Sequence, residues 1–416
     1  MWRLKNSRGT FLDAYGFRHD RSFWWHCAAL IAKSAPNDEA RAKMLDWRDA
    51  PENHPAVLWS PTNSNCPAIS ALVDHLVTLL PAEWRALGRN VFVGIAPLGE
   101  VNAEAWNQHR RGIVELNLQY LWVLDEYGAA FDEYRHAVSM RISRDTYAPL
   151  RSHQDADYGA LLSSWRHLQD VAGHWRNEAV IYTGDHRLIR LAPGRLPEER
   201  ERLTTSAEMF IVAHELAHHF LAHTSRGAIQ RRRQAERILA NVRTRRNLMQ
   251  DAPIPEPWQK ELDADIVGMA IIARQFEPGH SFGDAYAAEF GAVLALVAAA
   301  HIHDDWDVED HSSTHPPLAL RLRNLAAAVE EWYSDAPRAR HGDHPLDLWL
   351  QLELFCEMAQ LCAETPGQLE AVGEERFTTA LAATHLQRWE ALEARIPLPQ
   401  DYTPQLLPER RPRLGT

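Results

Sequence analysis

The sequence has few cysteines and no long apolar run, and each shortage excludes a class of protein. Only 4 cysteines occur in 416 residues, with no Cys-x-x-Cys pair, which excludes a disulfide-rich scaffold and favours a reducing compartment. The most apolar segment, residues 291–302 (GAVLALVAAAHI), is shorter than the roughly 20 residues that span a bilayer, so it predicts a buried helix. Residues 1–20 are charged and have no apolar stretch of signal-peptide length. We therefore expect a cytoplasmic protein without a membrane span.

The sequence also lacks an excess of positive charge. The formal net charge is -12, which argues against nucleic acid as a partner. Apolar residues make up 45% and charged residues 24% of the chain, the usual balance of a soluble globular protein. The exception is an arginine-rich stretch over residues 230–250. It predicts either a basic amphipathic helix that meets an acidic partner or a membrane surface, or an ordinary solvated helix.

A metal-binding pattern is present in residues 209–223, MFIVAHELAHHFLAH. His214, Glu215 and His218 form the motif H-E-x-x-H. On a helix, residues four apart lie about 6 Å apart along the axis and roughly 40° apart in angle, so both imidazoles can bind one metal ion. Glu215 lies beside them, where a carboxylate can take a proton from a metal-bound water. The alternative is a helix with two buried histidines that bind no metal.

A second pair of residues predicts the remaining ligand. Glu261 and Asp265 are also four residues apart, in the apolar segment KELDADIVGMAII, which predicts a second helix. Two histidines and a glutamate are a known catalytic zinc set that leaves one coordination position open. Glu261 is therefore the predicted third ligand of one Zn²⁺ per chain, and Asp265 is predicted to accept the second ring N–H of a ligand histidine. Ala264 between them allows the two helices to approach closely. The alternative for this pair is a solvated acidic face.

The segments H-E-L-A-H and E-L-D-A-D resemble the gluzincin metallopeptidases, in the branch that includes the CaaX prenyl protease and the bacterial heat-shock membrane protease. That branch has a later His-Pro pair with an arginine six residues after the histidine, and this chain has His315-Pro316 and Arg321. The resemblance implies that His315 and Arg321 line or brace the cleft, where they hydrogen-bond a developing oxyanion or orient Glu261. The alternative is a helix-capping histidine and a surface arginine.

The same resemblance implies an Asn-Ala pair on an edge strand, followed by a second strand. Asn102 and Ala103 match the pair, and the clearest strand signals lie at residues 90–96 and 112–124, which are rich in Val, Ile, Leu and aromatic residues. An edge strand beside a zinc cleft can bind an extended peptide as one more strand. Asn102 and Ala103 are therefore expected to bind substrate, mostly through backbone atoms. The alternative is an ordinary sheet.

These patterns predict an α+β, mostly helical protein. Its zincin-like catalytic core would hold a small β-sheet and two ligand-bearing helices. We expect a mainly helical region at 1–89, a metallopeptidase domain at 90–330 with an inserted region at about 126–205, and a helical region at 331–416 that ends in a proline-rich tail. Residues 193–202 are predicted to be loop, and the H-E-x-x-H helix is predicted to begin near Thr204.

The function predicted from these residues is a soluble zinc-dependent endopeptidase that hydrolyses peptide bonds of a protein or peptide substrate. A zinc-activated water would attack the carbonyl, with Glu215 as general base. Two alternatives remain open. One is a zinc-binding pseudoenzyme or scaffold that binds a partner. The other is a latent protease, activated by a regulatory protein partner in a defence or toxin setting.

Overall fold

The computed structural model describes residues 37–49, 67–89, 91–96, 102–108, 111–139, 198–224, 235–240, 254–276, 282–303 and 315–333, together with residues 32, 166 and 243. Over these residues the chain is mostly helical with one small sheet, which confirms the broad α+β class. The elements are α1 (Asp38–Asp49), α2 (Pro67–Leu79), α3 (Ala82–Gly88), β1 (Phe92–Ala96), β2 (Ala103–Gln108), β3 (Arg111–Asn117), α4 (Leu118–Ser139), α5 (Glu198–Phe220), α6 (Glu256–Ile272), α7 (Phe282–His303) and α8 (Leu318–Tyr333).

Several predictions fall on residues outside these ranges. They concern the four cysteines, the proline-rich tail and the predicted C-terminal helices beyond residue 333. Most of the predicted inserted region also lies outside: beyond residue 139, only residue 166 and residues 198–205 of it are described. The boundary predicted near residue 126 falls inside α4, which continues without a break to Ser139.

The three strands form one sheet in the order β1-β3-β2. The strands β1 and β3 are parallel, with Phe92 opposite Ile113, whereas β2 and β3 are antiparallel, with Ala103 opposite Leu116. Within the described residues, β2 is therefore at an edge of the sheet. Asn102 directly precedes this edge strand and Ala103 is its first residue, whereas the family resemblance implied that both lie on the strand.

The strand predicted over residues 112–124 is wrong in its second half. The strand β3 ends at Asn117, and α4 begins at Leu118. The buried residues of this helix include Tyr120, Leu124, Tyr127 and Phe131, which follow one another at the three- and four-residue spacing of a helix face. Local strand propensity was therefore overridden by burial of this face.

The H-E-x-x-H helix begins earlier than its threonines indicate. The helix α5 extends back to Glu198, so the predicted loop over residues 193–202 and the predicted start near Thr204 are wrong from residue 198 onward. The added residues, EERER, are strong helix formers, and acidic side chains are favourable at a helix N-terminus.

The helix α5 is the centre of the fold. Nearly every residue from Ala207 to Leu221 is buried, because α6 and α7 pack extensively along it and α4 and strands β2 and β3 cover further sides. Two glycines allow close approaches. A Cβ at Gly268 of α6 would lie 2.8 Å from the backbone nitrogen of His214, and a Cβ at Gly291 of α7 would overlap the carbonyl carbon of Ser206. The backbones of α6 and α7 can therefore pack directly against α5.

The apolar segment at residues 291–302 belongs to α7, and almost all of its described side chains are buried among other helices. The predicted buried helix is confirmed. In the part of the chain that the structure describes, no helix combines the length and the apolar character needed to cross a membrane.

Candidate metal centre

Three side chains from two helices meet at one point. The Nε2 atoms of His214 and His218 are 3.2 Å apart. The two carboxylate oxygens of Glu261 lie 3.3 Å from Nε2 of His214 and 3.5 Å from Nε2 of His218. Ligands that surround zinc tetrahedrally at about 2.0–2.1 Å are about 3.3–3.4 Å from one another. The His214-His218-Glu261 group could therefore hold a metal ion, and three such ligands leave a fourth position for water or substrate.

The helical geometry explains how the ligands converge. His214 and His218 are one turn apart on α5, so their rings project from the same face. Glu261 comes from α6, which lies against this face because Gly268 admits the backbone of α5. The two histidines are only 7% and 9% exposed, and the Glu261 side chain is 17% exposed. The predicted convergence of two imidazoles and one carboxylate is thus present in the structure.

The electrostatics of the group favour a cation. Burial disfavours a charged His214, but hydrogen bonds to Asp265 and Glu261 outweigh it and raise the pKa of the imidazole to about 10. Burial also opposes the charge of Glu261, yet His218 and His214 hold the pKa of its carboxyl well below the usual range. Both shifts indicate that positive charge is stabilised where the three groups meet. These donors therefore fit a divalent metal ion.

The ring nitrogen of His214 that faces away from this point is held by Asp265. Its Nδ1 lies 2.9 Å from Oδ1 of Asp265, a fully buried carboxylate. Arg321 in turn donates to both oxygens of Asp265, from Nε at 2.9 Å and from Nη2 at 2.6 Å. Burial would raise the pKa of Asp265, but the Arg321 guanidinium outweighs it and lowers that pKa. At this distance an ionised Asp265 can accept the Nδ1–H of His214. A neutral His214, the form that binds metal, would then direct the lone pair of Nε2 at the ligand group.

Glu215 is close to the ligands and is not needed as one of them. It is 7% exposed and lines the same cavity as His214 and Glu261. Burial raises the pKa of its carboxyl, and the neighbouring histidines His214 and His218 counteract part of that rise. A carboxylate with a raised pKa is a better proton acceptor than an exposed one, as a general base requires.

A cavity of about 250 Å³ opens beside the ligand group. Asn102 and Ala103 reach it from the edge strand β2, and His315 and Arg321 reach it at the start of α8. Much of the remaining wall is apolar. It comprises Phe210, Ile211, Leu296, Ala299, Ala300, Pro316 and Leu318. The structure therefore brings the residues of all the sequence motifs to one place, although Arg321 binds Asp265 rather than Glu261.

Two residues near the site had no motif to mark them. Tyr120 lines the cavity from α4 and donates its phenolic hydrogen to the carbonyl oxygen of Ala295, 3.1 Å away. Burial raises the pKa of this phenol, so it stays protonated and ties α4 to α7.

His223 lies beyond the end of α5, with its Nδ1 3.1 Å from Nδ1 of His218. The only signal for His223 was its place at the end of a histidine-rich stretch, and nothing in a helical pattern predicts that contact.

Gly268→Ala is expected to destabilise the fold and weaken metal binding together. Alanine gains up to about 1 kcal/mol of helix propensity, but its methyl group would lie within 2.9 Å of two backbone atoms of His214. Overpacking of this kind costs about 1–3 kcal/mol and displaces α6. Glu261 moves with that helix, so its distance to the histidines changes. Urea unfolding and zinc titration measure the two effects.

Gly88→Ala is the matched control for this variant. Its methyl group would approach the flexible end of the Leu80 side chain at 2.6 Å instead of backbone, on a helix that carries no ligand. We expect a smaller loss of stability and unchanged metal affinity. A Gly268→Ala protein with parental zinc affinity would contradict the claim that this contact sets the ligand geometry.

Comparisons with known proteins found no relative of this chain. No protein-family model matches the chain, and no match was found among curated proteins or among solved structures. The resemblance to gluzincin metallopeptidases therefore depends on short sequence motifs alone. What the structure adds is the His214-His218-Glu261 group, which could hold a metal ion.

Proposed function

We propose that this protein is a zinc-dependent endopeptidase of the gluzincin type. The observation that carries the proposal is the cavity where three groups that could ligate a metal lie within 4.8 Å of one another beside Glu215, a buried carboxylate that is not required for ligation. A purely structural zinc site would normally close its fourth position with another ligand and would need no general base. The arrangement fits catalysis better than a scaffold.

The chemistry divides between the metal and the side chains. Zinc held by His214, His218 and Glu261 would lower the pKa of a water from about 15.7 towards 7 and polarise a peptide carbonyl. Glu215 accepts a proton from the attacking water at a carboxylate oxygen and passes it to the leaving amine. Asp265 holds the ring of His214 in the tautomer that binds metal, and Arg321 acts through Asp265. His315, which lines the cavity, is proposed to donate to the developing oxyanion.

The substrate is proposed to be an extended segment of a protein or peptide. The strand β2 has an unpaired edge within the described sheet, and its first residue lines the cavity. An added strand would hydrogen-bond to backbone atoms of β2 beside Asn102 and Ala103. The apolar wall, which includes Leu296 and Ala300, would accept an apolar side chain next to the scissile bond. Cleavage beside apolar residues is therefore part of the proposal.

Metal removal tests this function. Treatment of the purified chain with 1,10-phenanthroline is expected to abolish cleavage of an unbiased peptide library, because Glu215 then has no activated water to deprotonate. Dialysis followed by Zn²⁺ should restore it. Mass spectrometry of the library identifies the cleaved bonds, which should lie next to apolar residues. Unchanged cleavage in the chelated sample would contradict a zinc peptidase.

A latent form of the same enzyme is a second candidate, favoured by the small volume of the cavity and the low exposure of its polar residues. The cavity of about 250 Å³ is at or below the lower end of the roughly 300–1,000 Å³ of most ligand pockets. His214 and Glu215 are each only 7% exposed. A protein substrate would then need the cavity to widen, and a regulatory protein partner could supply that change. Zinc binding without cleavage of any library peptide would favour latency.

A further inference from the structure

We propose that His223 is a positioning residue that holds His218 in its metal-binding orientation. Nδ1 of His223 lies 3.1 Å from Nδ1 of His218, on the side of the ring opposite Nε2. The two rings meet edge to face, with centroids 5.1 Å apart and planes at 67°. This inference depends on the metal site of the proposed function and is independent of peptide hydrolysis.

The donors and acceptors available on the two rings determine which histidine donates the hydrogen bond. Two ring nitrogens at 3.1 Å hydrogen-bond when one carries hydrogen and the other a lone pair. A neutral His218 that binds metal through Nε2 carries its hydrogen on Nδ1, so it donates and Nδ1 of His223 accepts. Ligand histidines commonly donate this hydrogen to a carboxylate or a carbonyl. Here Asp265 fills that role for His214, whereas an imidazole fills it for His218.

The backbone at the end of α5 brings His223 to this place. Ala222 has a φ of 60°, a left-handed conformation that is unfavourable for a non-glycine residue. The reversal lets the backbone N–H of His223 donate to the carbonyl of His218 at 2.8 Å, and that of Ala222 to the carbonyl of His219 at 3.2 Å. Such a C-terminal turn directs residue 223 back towards residue 218. The contact between His223 and His218 therefore requires an unfavourable backbone conformation at Ala222.

Hydrogen bonds to the sheet hold the other side of the turn. Asn107 of β2 donates to the hydroxyl of Thr224 at 2.9 Å, and that hydroxyl lies 3.1 Å from Nδ1 of His219. Nε2 of His219 donates to the carbonyl of Ile113 at 3.1 Å. Because Nε2 carries the hydrogen that Ile113 accepts, Nδ1 of a neutral His219 ring can accept from the hydroxyl of Thr224. The residues on both sides of His223 are thus anchored.

Two variants of the full chain separate positioning from packing. His223→Phe keeps a ring but removes the acceptor, whereas His223→Asn keeps an acceptor oxygen close to the position of Nδ1. Competition with a chromophoric chelator gives the Zn²⁺ affinity. We expect His223→Phe to bind zinc about 10- to 100-fold more weakly, the usual effect of losing such a partner. His223→Asn should restore most of that affinity. His75→Phe, at an exposed position of α2, is the control for the substitution itself.

Spectroscopy supplies readouts that packing alone would not change. The visible absorption of Co²⁺ at the site should differ from the parent in His223→Phe and resemble it in His223→Asn. In the zinc-loaded parent, ring ¹⁵N shifts should show His218 protonated at Nδ1, a test that holds even if His223→Phe does not fold. Parental zinc affinity in His223→Phe, a zinc-loaded His218 without hydrogen on Nδ1, or a parent that binds no metal would each overturn the proposal. A parent that binds zinc but cleaves no peptide would count against the peptidase function only.

Discussion

Glu215→Gln is expected to keep the bound metal and to slow peptide cleavage by about 10²- to 10⁴-fold, the usual contribution of a general base. Glutamine has nearly the same shape, and Glu215 is not one of the three ligand groups. The amide cannot accept and return a proton, so the attacking water keeps its hydrogen. The decisive pair of measurements is the zinc content of the purified variant and its kcat/KM on a peptide that the parent cleaves.

Glu208→Gln is the matched control. Glu208 is 3% exposed, lies two turns before Glu215 on the same helix, and is not among the residues that line the cavity. The same substitution there should leave kcat/KM within a few-fold of the parent. If Glu215→Gln retained both zinc and the parental rate on every substrate, Glu215 would not be the base.

Glu261→Ala is expected to abolish metal binding under conditions that saturate the parent. Removal of a residue that only orients a ligand weakens metal binding about 10- to 100-fold. Because Glu261 is proposed to be a ligand itself, its removal should weaken metal binding by more than this. The two buried imidazoles would remain 3.2 Å apart without the carboxylate that stabilises a cation between them. Zinc titration by calorimetry gives the affinity, and urea unfolding shows whether the variant remains folded.

Glu256→Ala removes the same charge from the same helix. That residue lies in the first turn of α6, is exposed and pairs with Lys260 at 2.8 Å. Exposed pairs of this kind contribute little to stability, so a small loss of stability and parental zinc affinity are expected. Equal effects of the two substitutions would argue against a specific ligand role for Glu261.

Together the two glutamate variants distinguish ligation from proton transfer. Glu215→Gln should be strongly slowed but loaded with zinc, whereas Glu261→Ala should be inactive and without zinc. A pseudoenzyme scaffold would bind zinc in the parent and show no activity that Glu215→Gln removes. The parent and these two proteins therefore decide between the peptidase and the scaffold.

The parts of the site that follow from short-range geometry could be predicted from the sequence. The pairing of His214 with His218, and of Glu261 with Asp265, depends only on the pitch of one helix. The buried helix at residues 291–302 follows from its composition. Asn102 and Ala103 were identified through the family resemblance, and the structure places Ala103 at the start of an edge strand.

Features that depend on distant parts of the chain could not be predicted in this way. Residues 118–124 have strand-like composition, yet they form a helix because their apolar face is buried against other elements. Ala264 was expected to permit close helix packing, and the structure shows a close backbone approach to α5 one turn later, at Gly268. The partner of Arg321 is Asp265, 56 residues earlier, and helical spacing has no bearing on such a pair.

The sequence by itself determined which side chains can share a face, because a helix repeats every 3.6 residues whatever surrounds it. Only the tertiary structure decided which faces meet: α6 lies against α5 so that Glu261 reaches the two histidines, and the turn at Ala222 returns His223 to His218. The physical reason is that these contacts arise from close packing of separate segments and from a left-handed backbone residue, and neither has a periodic signature in the chain.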